Sequence, residues 1–161
     1  MALLEVRKLP DPVLRQPAKK VLSIDSSIQR LIDDMIETMR AVNGLGLAAP
    51  QVGVSLRLAV IEIPDEEVIT LVNPVVIKRK GERLLDEGCL SVPGYHGEVK
   101  RSVVVKVKAL DRQGREFRLT ANDDLLAHAL EHETDHLDGR LYIDLIETPE
   151  QLWRTDSRIL E

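Results

Sequence analysis

The residues best equipped for chemistry lie in the stretch LEHETDHLDG, residues 130–139, where His132, Glu133 and His136 form an H-E-x-x-H pattern. On an α-helix, positions i and i+4 share a face, so the two imidazoles can grip one ion. Glu133 is turned off that axis and lies beside the ion, placed to act as general base toward a metal-bound water. A pair of histidines four apart also occurs as ordinary core packing. The glutamate in the middle slot, on a clear helix, favours metal-assisted hydrolysis.

A catalytic divalent ion usually has three protein ligands and one open position. Gly139 follows the motif, but Tyr142 stands where the longer zinc-protease pattern places a third histidine. Glu147 and Glu150 come so soon after His136 that little chain is left to fold back. His128 lies on the same stripe, eight residues before His136, or about 12 Å along the axis. That leaves Cys89, in the stretch DEGCLSVPGYHGEV with Gly88 before it and Pro93-Gly94 after it. Its thiolate completes a Cys-His-His set, and binding the ion drives the thiol's ionisation.

The elements that must position these groups follow from periodicity. Residues 25–42 carry Ile28, Leu31, Ile32, Met35, Ile36, Met39 and Val42 at helical spacing, capped by Asp25 or Ser26 and stopped at Asn43-Gly44. Residues 56–63, 69–77, 98–110 and 115–121 read as strands. A second helix runs from about Asp123 to Leu137. A third begins at Thr148-Pro149-Glu150-Gln151, a capping box with proline at the first position. Pro10, Pro12 and Pro17 make the first 20 residues an extended arm. The pattern predicts one α+β domain over residues 1–161: antiparallel or mixed sheets around a central H-E-x-x-H helix, with an amphipathic N-terminal helix and a short C-terminal one.

Composition sets the frame. The chain has 161 residues, 43% hydrophobic and 30% charged, enough for a real core and ordinary for a globular protein. Aromatics are only 2%, so the core must be aliphatic. A net charge of −5 gives no sign of a nucleic-acid groove or an anionic membrane as main partner. No apolar run approaches the ~20 residues of a membrane span, and no signal peptide is read at the start. One cysteine cannot form an internal disulfide, which fits a reducing compartment.

Three stretches together resemble peptide deformylase: GLGLAAPQVG at 44–53, EGCLS at 87–91 and HETDH at 132–136, in that family's order and separation. LPDPVLRQPAKKV near the start is similar to the family's opening segment. The resemblance implies removal of the formyl group from the N-terminal formylmethionine of new polypeptides. It implies one divalent ion on Cys89, His132 and His136, with Fe(II) as the usual native ion and zinc, nickel or cobalt as substitutes. Glu133 then moves the proton, while the Gln51 amide and the Leu90 backbone N–H stabilise the oxyanion. The bacterial cytosol, or an organelle matrix, is the expected place of action. In bacterial relatives a C-terminal tail can dock on the ribosome.

Gly44 and Gly46 allow close approach to a ligand, and a peptide could lie along Leu45–Leu47 as an added strand. Leu45, Leu125 and Ala129 are candidates for the methionine slot, and Gly88 joins the substrate-binding set beside Cys89. Two residues depart from the family pattern. Glu131 stands where glutamine is common and is expected to face solvent or a basic partner. His128 stands where an apolar residue is expected and would narrow or polarise the slot. Arg101 is a candidate partner for Glu87 or Asp135. A zinc endoprotease and a non-catalytic metal-binding relative are the competing readings; Tyr142 argues against the first, Glu133 and Gln51 against the second.

Overall fold

Ser26–Ala41 forms the first helix, α1, because Ile28, Ile32, Met35 and Met39 recur on one face and are all buried. The Asp25 carboxylate caps it by accepting from the Ile28 N–H at 3.1 Å. The far end closes as a Schellman turn. The N–H of Gly44 reaches the Met39 carbonyl and that of Asn43 the Arg40 carbonyl, with Asn43 left-handed at φ 55. The stop signal at Asn43-Gly44 works as expected, with asparagine taking the strained position.

The computed structural model describes residues 2–155. Five strands, β1 (Gly46–Ala48), β2 (Leu58–Ile61), β3 (Ile69–Lys80), β6 (Val104–Leu110) and β7 (Glu116–Asn122), form one antiparallel sheet in the order β1-β2-β3-β6-β7. A second sheet has the order β4-β5-β8, from Arg83–Cys89, Val92–Arg101 and Leu152–Arg154. The second helix, α2 (Leu125–Leu137), packs on the large sheet, burying Ala127 and Leu130 with Val105, Val107 and Ala121. Asp124 caps it, accepting from the Ala127 N–H at 2.8 Å. It ends before Gly139, at φ 75, where a Cβ would stand 2.7 Å from the Arg15 carbonyl oxygen. The α+β class with antiparallel sheets is as read from the sequence.

Three elements differ from that reading. Residues 98–110 are two strands in two sheets. β5 ends at Arg101 because the Ser102 N–H turns away to the Glu131 carboxylate, 2.6 Å, and the chain crosses to β6. Residues 83–97, which carry weak alternation, pair as the β4–β5 hairpin. The capping signature at Thr148 produces only a 3-10 turn, Pro149–Gln151, with the Gln151 side chain accepting from the Glu147 N–H. Leu152–Arg154 then pairs with β5 as an edge strand, where backbone hydrogen bonds to Tyr95–Gly97 outweigh helix continuation. The expected C-terminal helix and its ribosome-docking tail otherwise fall on residues 156–161, outside the described residues. Among the described residues, no helix is long and apolar enough to cross a membrane.

Candidate metal centre

Cys89 is the last residue of β4, and the hairpin register breaks there: Gly88 lies opposite His96 but Cys89 opposite Val92. The break places Cys89 beside the turn Leu90-Ser91, facing α2. On α2 the i, i+4 spacing presents His132 and His136 to the same point. Cys89 Sγ lies 3.3 Å from His136 Nε2, which lies 3.1 Å from His132 Nε2. All three donor atoms fall within 4.8 Å of one another. Tetrahedral bonds of about 2.1 Å to nitrogen and 2.3 Å to sulfur set such donors roughly 3.4–3.6 Å apart. The two spacings that involve His136 are a few tenths shorter and the third is held within 4.8 Å, so small side-chain shifts bring the set onto one small divalent ion. Tyr142, Glu147, Glu150 and His128 are not in this group.

Glu133 is buried next to His132, and its Oε1 has no hydrogen-bond partner. Burial pushes its carboxyl up to about 7, against the pull of a charged His132. Its other oxygen faces Gly46 so closely that a Cβ there would stand 2.5 Å from it. Gln51, in the 3-10 turn Ala49–Val52, is buried. Its Oε1 accepts from the Ala48 N–H at 2.9 Å, which aims Nε2 at the Ser91 hydroxyl, 3.2 Å, and the Cys89 sulfur, 3.7 Å.

Behind the donors, Glu87 organises the charge. One carboxylate accepts from Arg101 Nη2 at 2.6 Å and Nε at 2.9 Å, faces His128 Nε2 at 2.8 Å, and meets His132 Nδ1. Burial raises the Glu87 carboxyl, but these partners overcome it and hold the group well below the usual range. Bonding at Nδ1 leaves Nε2 of His132 to face the other donors, the arrangement that orients metal-ligating histidines. Burial opposes charge on His132, yet the Cys89 sulfur and Glu87 raise its pKa; burial and the His132 charge lower that of His136. Arg101 also binds Asp135 at 2.6 Å, so it pairs with both anticipated partners.

A cleft of about 620 Å³ opens over the donors. Gly44, Leu45, Gly46, Gly88, Leu125 and Ala129 all line it, as do Gln51, Leu90 and Glu133. His128 lines it too, bringing a polar edge to an otherwise aliphatic wall. Glu131 does not face solvent. It is buried and accepts from Arg79 Nε at 3.0 Å, the Ser102 hydroxyl and the Ser102 N–H, so the basic partner is Arg79.

The sequence reading missed three contributions, the first being the contacts of Glu87 with His128 and His132, since it named Glu87 only as a partner for Arg101. Glu87 shares a strand face with Cys89 at i, i+2, a signal that could have paired them. The Ser91 hydroxyl receives the Gln51 amide. The N-terminal arm clamps both loops, the Arg7 N–H reaching the Gln51 carbonyl at 2.6 Å and the Leu9 N–H the Ser91 carbonyl at 3.0 Å.

Fold and donor set together define a small α+β enzyme of the metal-dependent hydrolase class. Residues 3–152 match the polypeptide deformylase family. A peptide deformylase from Dehalococcoides mccartyi is 57% identical over 153 residues, 94% of this chain and 91% of that protein. The crystal structure of a peptide deformylase from Legionella pneumophila superposes with a TM-score of 0.88 at 48% identity, covering 92% of this chain and 88% of that one. One from Synechococcus elongatus, in complex with actinonin, gives 0.88 at 41% identity, covering 91% and 82%. The chain belongs to the polypeptide deformylase family, enzymes that hydrolyse the N-formyl group of formylmethionine peptides.

Proposed function

We propose that residues 1–161 act as one catalytic domain that removes the formyl group from the N-terminal formylmethionine of newly made polypeptides. The reading is carried by one observation: a sulfur and two imidazole nitrogens converge beside a buried carboxylate in a cleft bordered by an edge strand. Cys89, His132 and His136 would hold one divalent ion, which supplies Lewis acidity toward water and the formyl carbonyl. Fe(II) is the proposed native ion; zinc, nickel and cobalt suit the same mixed sulfur and nitrogen donors.

This chain's residues supply the rest. Glu133 accepts the attacking water's proton and returns it to the leaving amine nitrogen; a carboxyl poised near neutrality suits both transfers. Gln51 Nε2 and the Leu90 N–H donate to the carbonyl oxygen as it becomes an oxyanion, where loss of one donor costs ~10²–10³ in rate. The peptide lies along Leu45–Leu47 as an added strand at the edge of the sheet, with Gly44 and Gly46 leaving room for its approach. The methionine side chain enters between Leu125, Ala129 and Leu45, and Gly88 leaves room beside the reacting carbon. Actinonin, bound by the Synechococcus relative, is proposed to bind in the same cleft. Action is placed where chains begin with formylmethionine, the bacterial cytosol or an organelle matrix.

The test is to incubate the protein with a formyl-Met peptide and, separately, with an unblocked protein substrate. Formate release without internal cuts supports the proposal. Internal cleavage supports an endoprotease, and neither product a non-catalytic relative.

A further inference from the structure

Acidic and basic residues are unevenly placed on the large sheet. Along β6, Val105, Val107 and Ala109 face α2, so Val104, Lys106, Lys108 and Leu110 lie on the opposite face, where Leu110 packs with Val72 against the α1 core and Lys106 and Lys108 are left open. On β7, alternation turns Glu116, Arg118, Thr120 and Asn122 outward. On β3, a register shift between Val76 and Lys78 leaves Val75, Ile77, Lys78 and Lys80 exposed, while Arg79 binds Glu131. The register sets Lys78 directly opposite Lys106, and Lys108 directly opposite Arg118. Like charges so placed repel across about 5 Å and weaken the sheet. Lys108 reaches Glu116 at 3.4 Å; among the described residues, Lys78, Lys80, Lys106 and Arg118 have no ion-pair partner. This face therefore carries five cations and one acid, in a chain with 22 basic and 27 acidic residues. The whole-chain charge of −5 conceals it.

We propose that this outer face of β3, β6 and β7 is a docking surface for the backbone of double-stranded RNA. Lys106 and Lys108 are about 7 Å apart along the strand and the three strands span about 10 Å, room for a few neighbouring phosphates. No aromatic side chain points outward from these strands to stack an unpaired base, so the face suits a duplex rather than a single strand. On this side of the sheet α1 covers Val72 and Leu110, so the open area is the flat strand patch around Lys78, Lys106 and Arg118 rather than a projecting helix that could enter a groove of B-form DNA. The Thr120 hydroxyl and Asn122 amide sit among the cations, where they can meet 2′-hydroxyls. Val75 and Ile77 are its most exposed aliphatic side chains, too little apolar surface to enter a bilayer.

The experiment measures anisotropy of a labelled 16-base-pair RNA duplex with the full chain, at 50 and 200 mM salt. Four cations engaged give a fall of about 10²-fold in affinity across that range. The double variant Lys78→Glu/Lys106→Glu is expected to lose at least about 10-fold at 50 mM, while Lys19→Glu/Lys20→Glu, with the same change in net charge at two exposed lysines outside the cleft lining, loses less than about 3-fold. Lys106→Glu alone should raise the melting temperature at low salt, since it replaces a repulsion with an attraction, while still weakening the RNA. Both double variants should release formate from a free formyl-Met tripeptide at the wild-type rate. No duplex binding at 50 mM, or equal losses in the two double variants, overturns the proposal. So does equal affinity for a DNA duplex, and so does binding to phosphatidylserine vesicles without binding to RNA.

Discussion

Gly46→Ala tests the placement of Glu133 without touching an ion donor. The Gly46 backbone lies outside the left-handed region, so alanine adopts it without strain. The effect must come through space. An added Cβ would sit 2.5 Å from Glu133 Oε2, 2.9 Å from its Cδ and 3.0 Å from its Cγ. Ordinary contact begins near 3.4 Å, so the carboxylate must retreat by about 0.9 Å. Because it is the end of a flexible side chain, the fold loses little, within about 1 kcal/mol. Proton transfer is far less tolerant: a misplacement near 1 Å costs about 10²-fold, or roughly 2.7 kcal/mol in the barrier. The assay is kcat for formate release from a formyl-Met peptide, with metal content and urea unfolding measured on the same preparations. In Gly44→Ala the Cβ would meet Leu90 Cδ1 at 3.4 Å and the Gly46 and Met39 carbonyl oxygens at 3.6 Å, ordinary contacts that leave Glu133 untouched, so metal content and urea unfolding there should match wild type. A Gly46→Ala enzyme with kcat within threefold of wild type and full metal loading would refute the role given to Glu133.

Other outcomes follow from the same geometry. Glu133→Gln should retain the ion and lose nearly all turnover. In chelator-stripped protein, the Glu133 carboxyl at about 7 against an ordinary 4.5 makes stability fall as pH rises between those values. Glu133→Gln should therefore be more stable than wild type at pH 8, by up to about 3 kcal/mol in urea unfolding; equal stability would mean the carboxyl is not so raised. Glu87 is shifted the other way, so its stabilisation is present above pH 4.5 and is lost as pH falls below that. Removing its buried partner with Arg101→Ala should cost about 3–5 kcal/mol at pH 7, read from the urea midpoint. Cys89→Ser should sharply lower bound metal by elemental analysis, and full loading would exclude the thiolate. Actinonin should raise the melting temperature of the metal-loaded protein and compete with formyl-Met peptide; a stabilised enzyme with unchanged KM would place it elsewhere.

What residue order determined by itself was local. The i, i+4 pair His132 and His136 shares a face on any helix, and the caps Asp25 and Asp124 act within three residues of themselves. The stripe from Ile28 to Met39 likewise needed only the 3.6-residue turn. The roles proposed for Gln51 and Leu90 rest on motif resemblance, since neither spacing nor polarity singles them out. Tertiary structure decided what joins distant segments. Cys89 reaches the histidines only because the β4–β5 register slips at Gly88. Glu87 becomes the shared partner of Arg101, His128 and His132 only once β4, β5 and α2 meet. The split of 98–110 and the inward turn of Glu131 are one event, a buried carboxylate taking the Ser102 N–H from the ladder. The basic face arises in the same way, from a pairing that sets Lys78 against Lys106 across 28 residues of chain. Side-chain spacing along one element follows from its backbone repeat. Spacing between elements depends on strand order and register, which no single segment encodes.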